Sequence, residues 1–232
     1  MYDRSAELYD LMHPTQDYMA AVEQLRALIA VRRPDARSLL DVGCGTGRHL
    51  ELLDDLDELA GVDINGTLLG AARSRCPRAD LHEADMRTFD LGRRFDVVAC
   101  LFSAIGYVAS YDELVATLGR LRAHAEPGGL IVVEPWLFPD RYRLGAVTMH
   151  AAEADATKVA WMYTAALEDG RTVYDIHHLV GTERGVEHFL ERHSLALFTG
   201  EEYVEAFRMV GLEPELDELG FFGYGLYTAD NP

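Results

Sequence analysis

The sequence predicts an α/β chain: a doubly wound, mostly parallel sheet of seven strands, with an antiparallel β meander inserted into it. Three observations predict it. Strand-like and helix-like segments alternate from the N-terminal region to Glu134. Strands such as DVVACLF and LIVVE are apolar on both faces, as parallel strands covered by helices on each side must be. After Pro139 the alternation stops, and segments rich in strand-forming residues follow one another across glycine-containing turns.

Taken in order, Tyr18, Met19, Val22, Leu25, Leu28 and Ile29 recur at helical spacing, which predicts a helix over 17–31 closed by Pro34. Residues 38–42 are short, apolar and end in a glycine cluster, so they read as a strand entering a tight turn before a helix over 48–56. The unit repeats as strand 59–64 with helix 67–75, strand 80–83, strand 95–102 with helix 111–124, and strand 129–134. The meander is expected from strands 158–167, 171–180 and 186–198, joined by turns at 168–170 and 181–185. We therefore read one domain over 1–232, with residues 144–198 as the insertion serving either a substrate site or a dimer interface. Thr199-Gly200-Glu201-Glu202 is a capping-box pattern that opens a last helix, Gly211 is its stop signal, and strands 213–219 and 222–228 complete the sheet.

With 232 residues and 49% hydrophobic side chains, the chain can bury a full core. Its 39 acidic and 21 basic side chains leave a net charge of −18, which on average repels phosphate backbones and anionic lipid. Nucleic acid and membrane surfaces are thus disfavoured as partners, and a small molecule is favoured. Cys44, Cys76 and Cys100 form neither a metal spacing nor an even disulfide set, so they read as buried thiols of a reducing compartment. No apolar run has the length of a membrane span, and the start, with Asp3, Arg4 and Glu7, does not read as an export leader; the expectation is the cytoplasm.

A ligand lies across the end of a parallel sheet only where the backbone turns sharply without bulky side chains, which Gly43, Gly45 and Gly47 supply. A dinucleotide fingerprint would need a further glycine where Arg48 stands, so a NAD-binding oxidoreductase is the weakest alternative. The string DVGCGTG instead resembles the first motif of class I methyltransferases, which have a Rossmann-like fold and use S-adenosylmethionine. The resemblance implies that Gly43, Cys44 and Gly45 hold this cofactor, with Asp41 as a partner for its positive charge. Asp63, with Ile64 after it, ends the second strand about twenty residues beyond the glycines, where a carboxylate accepts ribose hydroxyls. Asp85-Met86 resembles the segment that meets the adenine, and Leu101-Phe102-Ser103 the segment that lines the methionine half.

Over nearly its whole length the chain is similar to the N,N-dimethyltransferases of nucleotide-linked amino sugars in antibiotic biosynthesis. The likeness rests on AELYD, SLLDVGCGTG, FSAIGY, PGGLIVVEPWLFP, the strand with Ile176-His177, and LFTGEEYVEAF. It implies that Tyr9 closes over the cofactor, and that Tyr2, Tyr18, Ser103 and Trp136 face the sugar nucleotide. Tyr107 stands where the family carries His, and Tyr224 where it carries Arg between two glycines; both fall near the methyl-accepting molecule. If that Arg neutralises a diphosphate, its loss leaves Arg141 and Arg143 to do so or an uncharged substrate.

An amine must be neutral to attack a sulfonium, and His177, His188 and Glu191 on the meander are the candidates to take its proton, with Tyr107 hydrogen-bonding the amine. His177, His178, His188 and His193 do not suggest a metal, because neighbours on a strand point to opposite faces and no carboxylate pair completes a set. Trp161, Tyr163, Phe189 and Phe198 read as core or dimer-interface packing, and the exposed meander offers a face on which a homodimer could form, the oligomeric state staying open. A small-molecule O-methyltransferase and a cofactor-binding module without catalysis stand as alternatives.

Overall fold

The computed structural model describes residues 2, 4–13 and 18–232. Its elements run α1 (Tyr9–Met12), α2 (Tyr18–Arg32), β1 (Ser38–Val42), α3 (Arg48–Leu52), β2 (Glu58–Asp63), α4 (Gly66–Arg75), β3 (Asp80–Glu83), β4 (Phe95–Cys100), α5 (Tyr111–Ala123) and β5 (Ala125–Val133). There follow β6 (Val147–Ala154), β7 (Thr157–Glu168), β8 (Arg171–Thr182), β9 (Gly185–Ala196), α6 (Gly200–Met209), β10 (Glu215–Asp217) and β11 (Leu226–Asp230). Single 3-10 turns at Ser5–Leu8 and Ala104–Tyr107 complete the set. The predicted start of the second helix at Asp17 lies outside the described residues.

Seven strands form one sheet in the order β10-β11-β5-β4-β1-β2-β3, parallel except where β11 meets its two neighbours antiparallel. Consecutive residues of the central strands bury into different layers. Leu40, Val98 and Val133 join the core on one side of the sheet, and Leu39, Val97 and Val132 join the core on the other. Helices therefore cover both faces, which is the physical origin of the unbroken apolar runs. The chain reverses direction of sheet growth between β1 and β4, which both flank one crevice at the carboxyl ends of the strands.

Helix starts follow the side-chain chemistry. Asn65 accepts from the backbone N–H groups of Thr67 and Leu68, Ser110 accepts from Glu113, and Thr199 and Glu202 form the reciprocal box. Gly211, at φ +74°, takes the left-handed turn after α6 that a side chain would strain.

Three expectations are corrected. The helix after the glycine turn stops at Leu52, because Leu53 and Leu56 close short turns onto Leu50 and Leu53. The last two strands are shorter than 213–219 and 222–228, the first keeping only its middle and the second starting later, since Gly220, Gly223 and Gly225 hold the connecting chain in positive-φ turns. The meander has a fourth strand, β6, with the sequence VTMHAAEA. Alanine and glutamate have little intrinsic strand preference, and this strand forms by pairing with β7 along its full length.

The second sheet, β6-β7-β8-β9, is a continuous antiparallel meander over 147–196. Its inner face turns Trp161, Tyr163, Tyr174, His178 and His193 towards the carboxyl ends of β1 and β4. No described helix is long and apolar enough to cross a membrane.

Candidate active site

A cavity of about 580 Å³ lies between the carboxyl ends of the parallel strands and the inner face of the second sheet. Its floor begins at the glycine turn after β1, where Gly43, Gly45 and Gly47 have φ of +81°, +53° and +76°. Gly43 and Cys44 donate their N–H groups to Val62 O at 2.7 and 3.1 Å, which fastens the turn to β2. A Cβ at Gly43 would meet Ala104 Cβ at 2.5 Å, so only glycine allows the turn to pack against the chain after β4. Nothing lies within 4 Å of a Cβ position at Gly45, where the backbone is bare towards the cavity.

Asp63, at the end of β2, enters the same space. Its Oδ2 accepts from Gly45 N–H and its Oδ1 from Asn65 N–H, each at 2.8 Å. Burial raises its pKa above the ordinary carboxylate value, against the pull of these backbone donors. Both oxygens keep lone pairs for a ligand's hydroxyl groups.

The segment after β4 is strained for this purpose. Phe102 and Ser103 have φ of +52° and +57°, a region that side chains avoid. Glu134 at the end of β5 holds them there: its Oε2 accepts Phe102 N–H at 2.7 Å, while Ser103 Oγ donates to Pro135 O at 2.7 Å. Burial pushes the Glu134 carboxyl up to about 7.

The N-terminal segment closes the cavity. Asp10 of α1 accepts from Thr46 Oγ1 at 2.8 Å and pairs with Arg48 and Arg75, so α1 sits directly over the glycine turn. Tyr9 packs edge-on to Tyr2 at 5.1 Å, and Tyr18 lies 5.8 Å from Phe102. At the opposite end Trp136 lies between Tyr174 at 6.2 Å and Tyr224 at 5.8 Å. Tyr107 Oη stands 3.1 Å from Tyr2 Oη and 3.0 Å from His193 Nδ1.

Tyr2, Tyr9, Tyr18, Gly43, Cys44, Gly45, Asp63, Ile64, Asp85, Met86, Leu101, Ser103, Tyr107, Trp136 and Tyr224 all line this one cavity. Four residues expected at the site do not. His177 and His188 lie on the exposed outer face of the second sheet, facing each other with ring nitrogens 3.1 Å apart. The reason is strand parity: Tyr174, Ile176 and His178 alternate inward, so His177 must point outward. Asp41 is 1% exposed and lies beneath the turn, 3.8 Å from His49 Nδ1, with Oδ2 unpartnered. Burial, reinforced by the charge of Asp63, pushes its carboxyl up to about 7. Glu191 is buried on the inner face, but it accepts from Arg4 N–H, Ser5 N–H and the Ser5 hydroxyl instead of lining the cavity.

The structure also brings in residues that motif reading missed. His178 and His193 line the roof, and counting inward from Tyr174 in steps of two would have selected His178 over His177. Asp85 reaches the cavity with its carboxylate already held by Arg87, which also pairs with Glu113 at 2.6 Å. Arg48 and Arg87 are the only arginines among the described lining residues, and both are paired to carboxylates. At the glycine turn a dinucleotide's pyrophosphate would meet Arg48 already paired to Asp10, whereas a phosphate-free, positively charged nucleoside finds a bare turn and the Asp63 carboxylate. The residues present therefore fit S-adenosylmethionine. No cluster of three or more His, Cys, Asp or Glu able to hold a metal occurs among the described residues.

Comparison with known proteins gives concordant matches. A family model described as a methyltransferase domain matches residues 39–129. Over 228 residues the chain is 44% identical to the dTDP-3-amino-3,6-dideoxy-alpha-D-glucopyranose N,N-dimethyltransferase of Streptomyces fradiae, covering 97% of this chain and 89% of that protein. It is similar to the crystal structure of DesVI from Streptomyces venezuelae, at 39% identity and a TM-score of 0.91, with 97% of each chain covered. It is also similar to an S-adenosylmethionine-bound amino pentose methyltransferase of calicheamicin biosynthesis from Micromonospora echinaspora. That match has 35% identity and a TM-score of 0.88, covering 100% of this chain and 98% of the other.

Proposed function

The chain belongs to the S-adenosylmethionine-dependent amino-sugar N,N-dimethyltransferases, and from that membership we propose that it methylates the amino group of a nucleotide-linked amino sugar in natural-product biosynthesis. The observation that carries the reading is one continuous cavity, which runs from a bare glycine turn and a buried carboxylate to a wall of phenols, indole and imidazole. The first part suits the cofactor and the second suits a sugar amine.

In this reading Asp63 accepts the ribose hydroxyls, Met86 packs on the adenine, and Gly43 to Gly45 let the methionine half lie on the backbone. The Arg87 pairing of Asp85 leaves the adenine edge to backbone groups and to the outer lone pairs of that carboxylate. Leu101 and Ser103 flank the sulfur end, and Tyr9 covers it. Tyr2, Tyr18, Trp136 and Tyr224 surround the sugar.

The bound cofactor supplies a methyl group on a sulfonium, which is already a good leaving group. The protein's own task is alignment and exclusion of water. The Asp10 latch and the tyrosines of the N-terminal segment seal the cofactor side, and the second sheet seals the amine side. His178 and His193 stay neutral near pH 7 because burial lowers their pKa, that of His193 to about 4. Neither adds positive charge beside a cation, and His178, whose ring nitrogens have no partner, offers a lone pair to the amine's protons.

The outer face of the second sheet carries exposed Met149, Met162, Leu179 and Leu190, and packing against a second copy would remove this apolar area from water. Sedimentation at micromolar concentration tests this homodimer, and a single monomeric species refutes it. The activity is tested by incubating the purified protein with S-adenosylmethionine and a panel of dTDP-linked amino sugars. A mass gain of one or two methylene units on at least one sugar is expected; no gain on any of them overturns the assignment.

A further inference from the structure

The wall of the cavity carries a chain of polar contacts, hydrogen-bonded at both ends and electrostatic between Glu191 and His193, whose polarity is set from its far end. Glu191 accepts from Arg4 N–H at 2.6 Å, from Ser5 N–H at 3.0 Å and from the Ser5 hydroxyl. Burial opposes its charge, but these donors outweigh burial and hold its pKa below the ordinary value. The Glu191 Oε2 atom then lies 3.8 Å from His193 Nε2. A carboxylate on that side favours the tautomer with its proton on Nε2, which leaves Nδ1 as a lone pair. The donor within reach of Nδ1 is Tyr107 Oη at 3.0 Å. Either hydroxyl can donate in the 3.1 Å contact between Tyr107 and Tyr2; a phenol has one proton, so once Tyr107 gives its own to His193 the Tyr2 hydroxyl is left as the donor.

We propose that Glu191 and His193 are positioning residues that fix the polarity of Tyr107 and Tyr2, so that these phenols present lone pairs and no free O–H to the cavity. The inference rests on the amine-methylation reading above. Its consequence is selectivity by N–H count. A neutral primary amine offers two N–H donors to these oxygens while its own lone pair stays free for the methyl group. Each transfer yields an alkylammonium that gives up one proton, to water or to the unpartnered ring nitrogen of neutral His178 in the roof, and the secondary amine so formed still has one donor. The neutral tertiary amine left by two transfers has none, loses this hold and leaves. The same carboxylate that orients His193 caps the 3-10 turn at Ser5–Leu8, so the seating of the segment carrying Tyr2 and Tyr9 is coupled to the polarity of the wall. Among the described residues the charged and titratable groups facing the chain are Asp63 from the glycine-turn side, Tyr9 and His13 from the N-terminal segment and His178 from the roof, and none is hydrogen-bonded into it.

The test is a double-mutant cycle on the full-length protein with a primary amino sugar that the wild type dimethylates. Tyr107→Phe removes the oxygen, and His193→Leu removes the group that orients it. Each single variant should lower kcat/KM about tenfold to hundredfold and accumulate monomethylated product, with S-adenosylmethionine affinity by calorimetry kept. The double variant should be no worse than Tyr107→Phe alone. Losses that multiply in the double variant, or an unchanged fraction of monomethylated product, overturn the proposal. Should His193→Leu fail to bind the cofactor, Glu191→Gln carries the test, because it removes the charge that selects the tautomer while keeping an oxygen for Ser5. It too should accumulate monomethylated product, and wild-type product ratios would overturn the proposal. A wild type that methylates no amino sugar removes the functional reading itself, whereas an active wild type with multiplicative losses removes only this wall polarity.

Discussion

Replacing Asp41 by Asn should change how stability depends on pH. Asp41 is buried at the end of β1, with Oδ2 unpartnered and a neutral histidine 3.8 Å from it, His49, whose pKa burial lowers to about 4. Its carboxyl moves from 3.8 in the unfolded chain to about 7 in the folded one, through burial and the charge of Asp63. A folded pKa above the unfolded value means that the native state holds the proton longer. The contribution of Asp41 is therefore fully present below pH 3.8 and is lost as pH rises through about 7. At about 1.4 kcal/mol per tenfold change in proton affinity, the loss amounts to about 4 kcal/mol by pH 8. The amide of the Asp41→Asn variant has nothing to ionise. Urea unfolding of both proteins without ligand, at pH 4.5 and pH 8, should show the stability of Asp41→Asn gaining on wild type by a few kcal/mol across that interval. Glu134, which titrates over a similar range, is present in both proteins and cancels in the difference. Parallel pH dependences would refute the reasoning, since they would mean that Asp41 reaches solvent or a compensating charge.

Three other outcomes are expected. Asp63→Ala should weaken S-adenosylmethionine binding by about 1 to 3 kcal/mol, read by calorimetry, because hydroxyls that it accepts from would be buried without partners. Gly43→Ala should cost about 1 to 3 kcal/mol in thermal or urea unfolding, since an L side chain at φ +81° is strained and its Cβ meets Ala104 at 2.5 Å. His177→Ala should leave kcat/KM within about twofold of wild type, whereas His178→Ala should lower it, because only His178 faces the cavity; equal effects would contradict the strand parity.

The parallel core was legible because its physics is local and periodic. DVVACLF and LIVVE had to be covered on both sides, and Leu39 and Leu40 do enter different cores. The glycine turn was legible for a similar reason: three positive-φ positions within five residues strongly favour glycine, and the sequence shows all three. Thr199 and Glu202 announced α6 through a reciprocal pair three residues apart. The strand β6 was not legible, since the alanines and glutamate that fill the second half of VTMHAAEA have little strand preference and the segment is held by its partner β7.

What the sequence by itself determined is the order of β and α units, the turn that lets a ligand lie against the backbone, and a family likeness broad enough to name the chemistry. Only the tertiary structure decided that His178 and His193 face inward while His177 and His188 face outward, that Asp41 is sealed beneath the turn, and that Glu191 fastens the N-terminal segment. The physical reason is range. Backbone dihedral demands and hydrophobic period act within a few residues, so a chain carries them openly. The partner of a buried side chain depends on strand register and on contacts between positions such as Ser5 and Glu191, which lie 186 residues apart and meet only once the chain has folded.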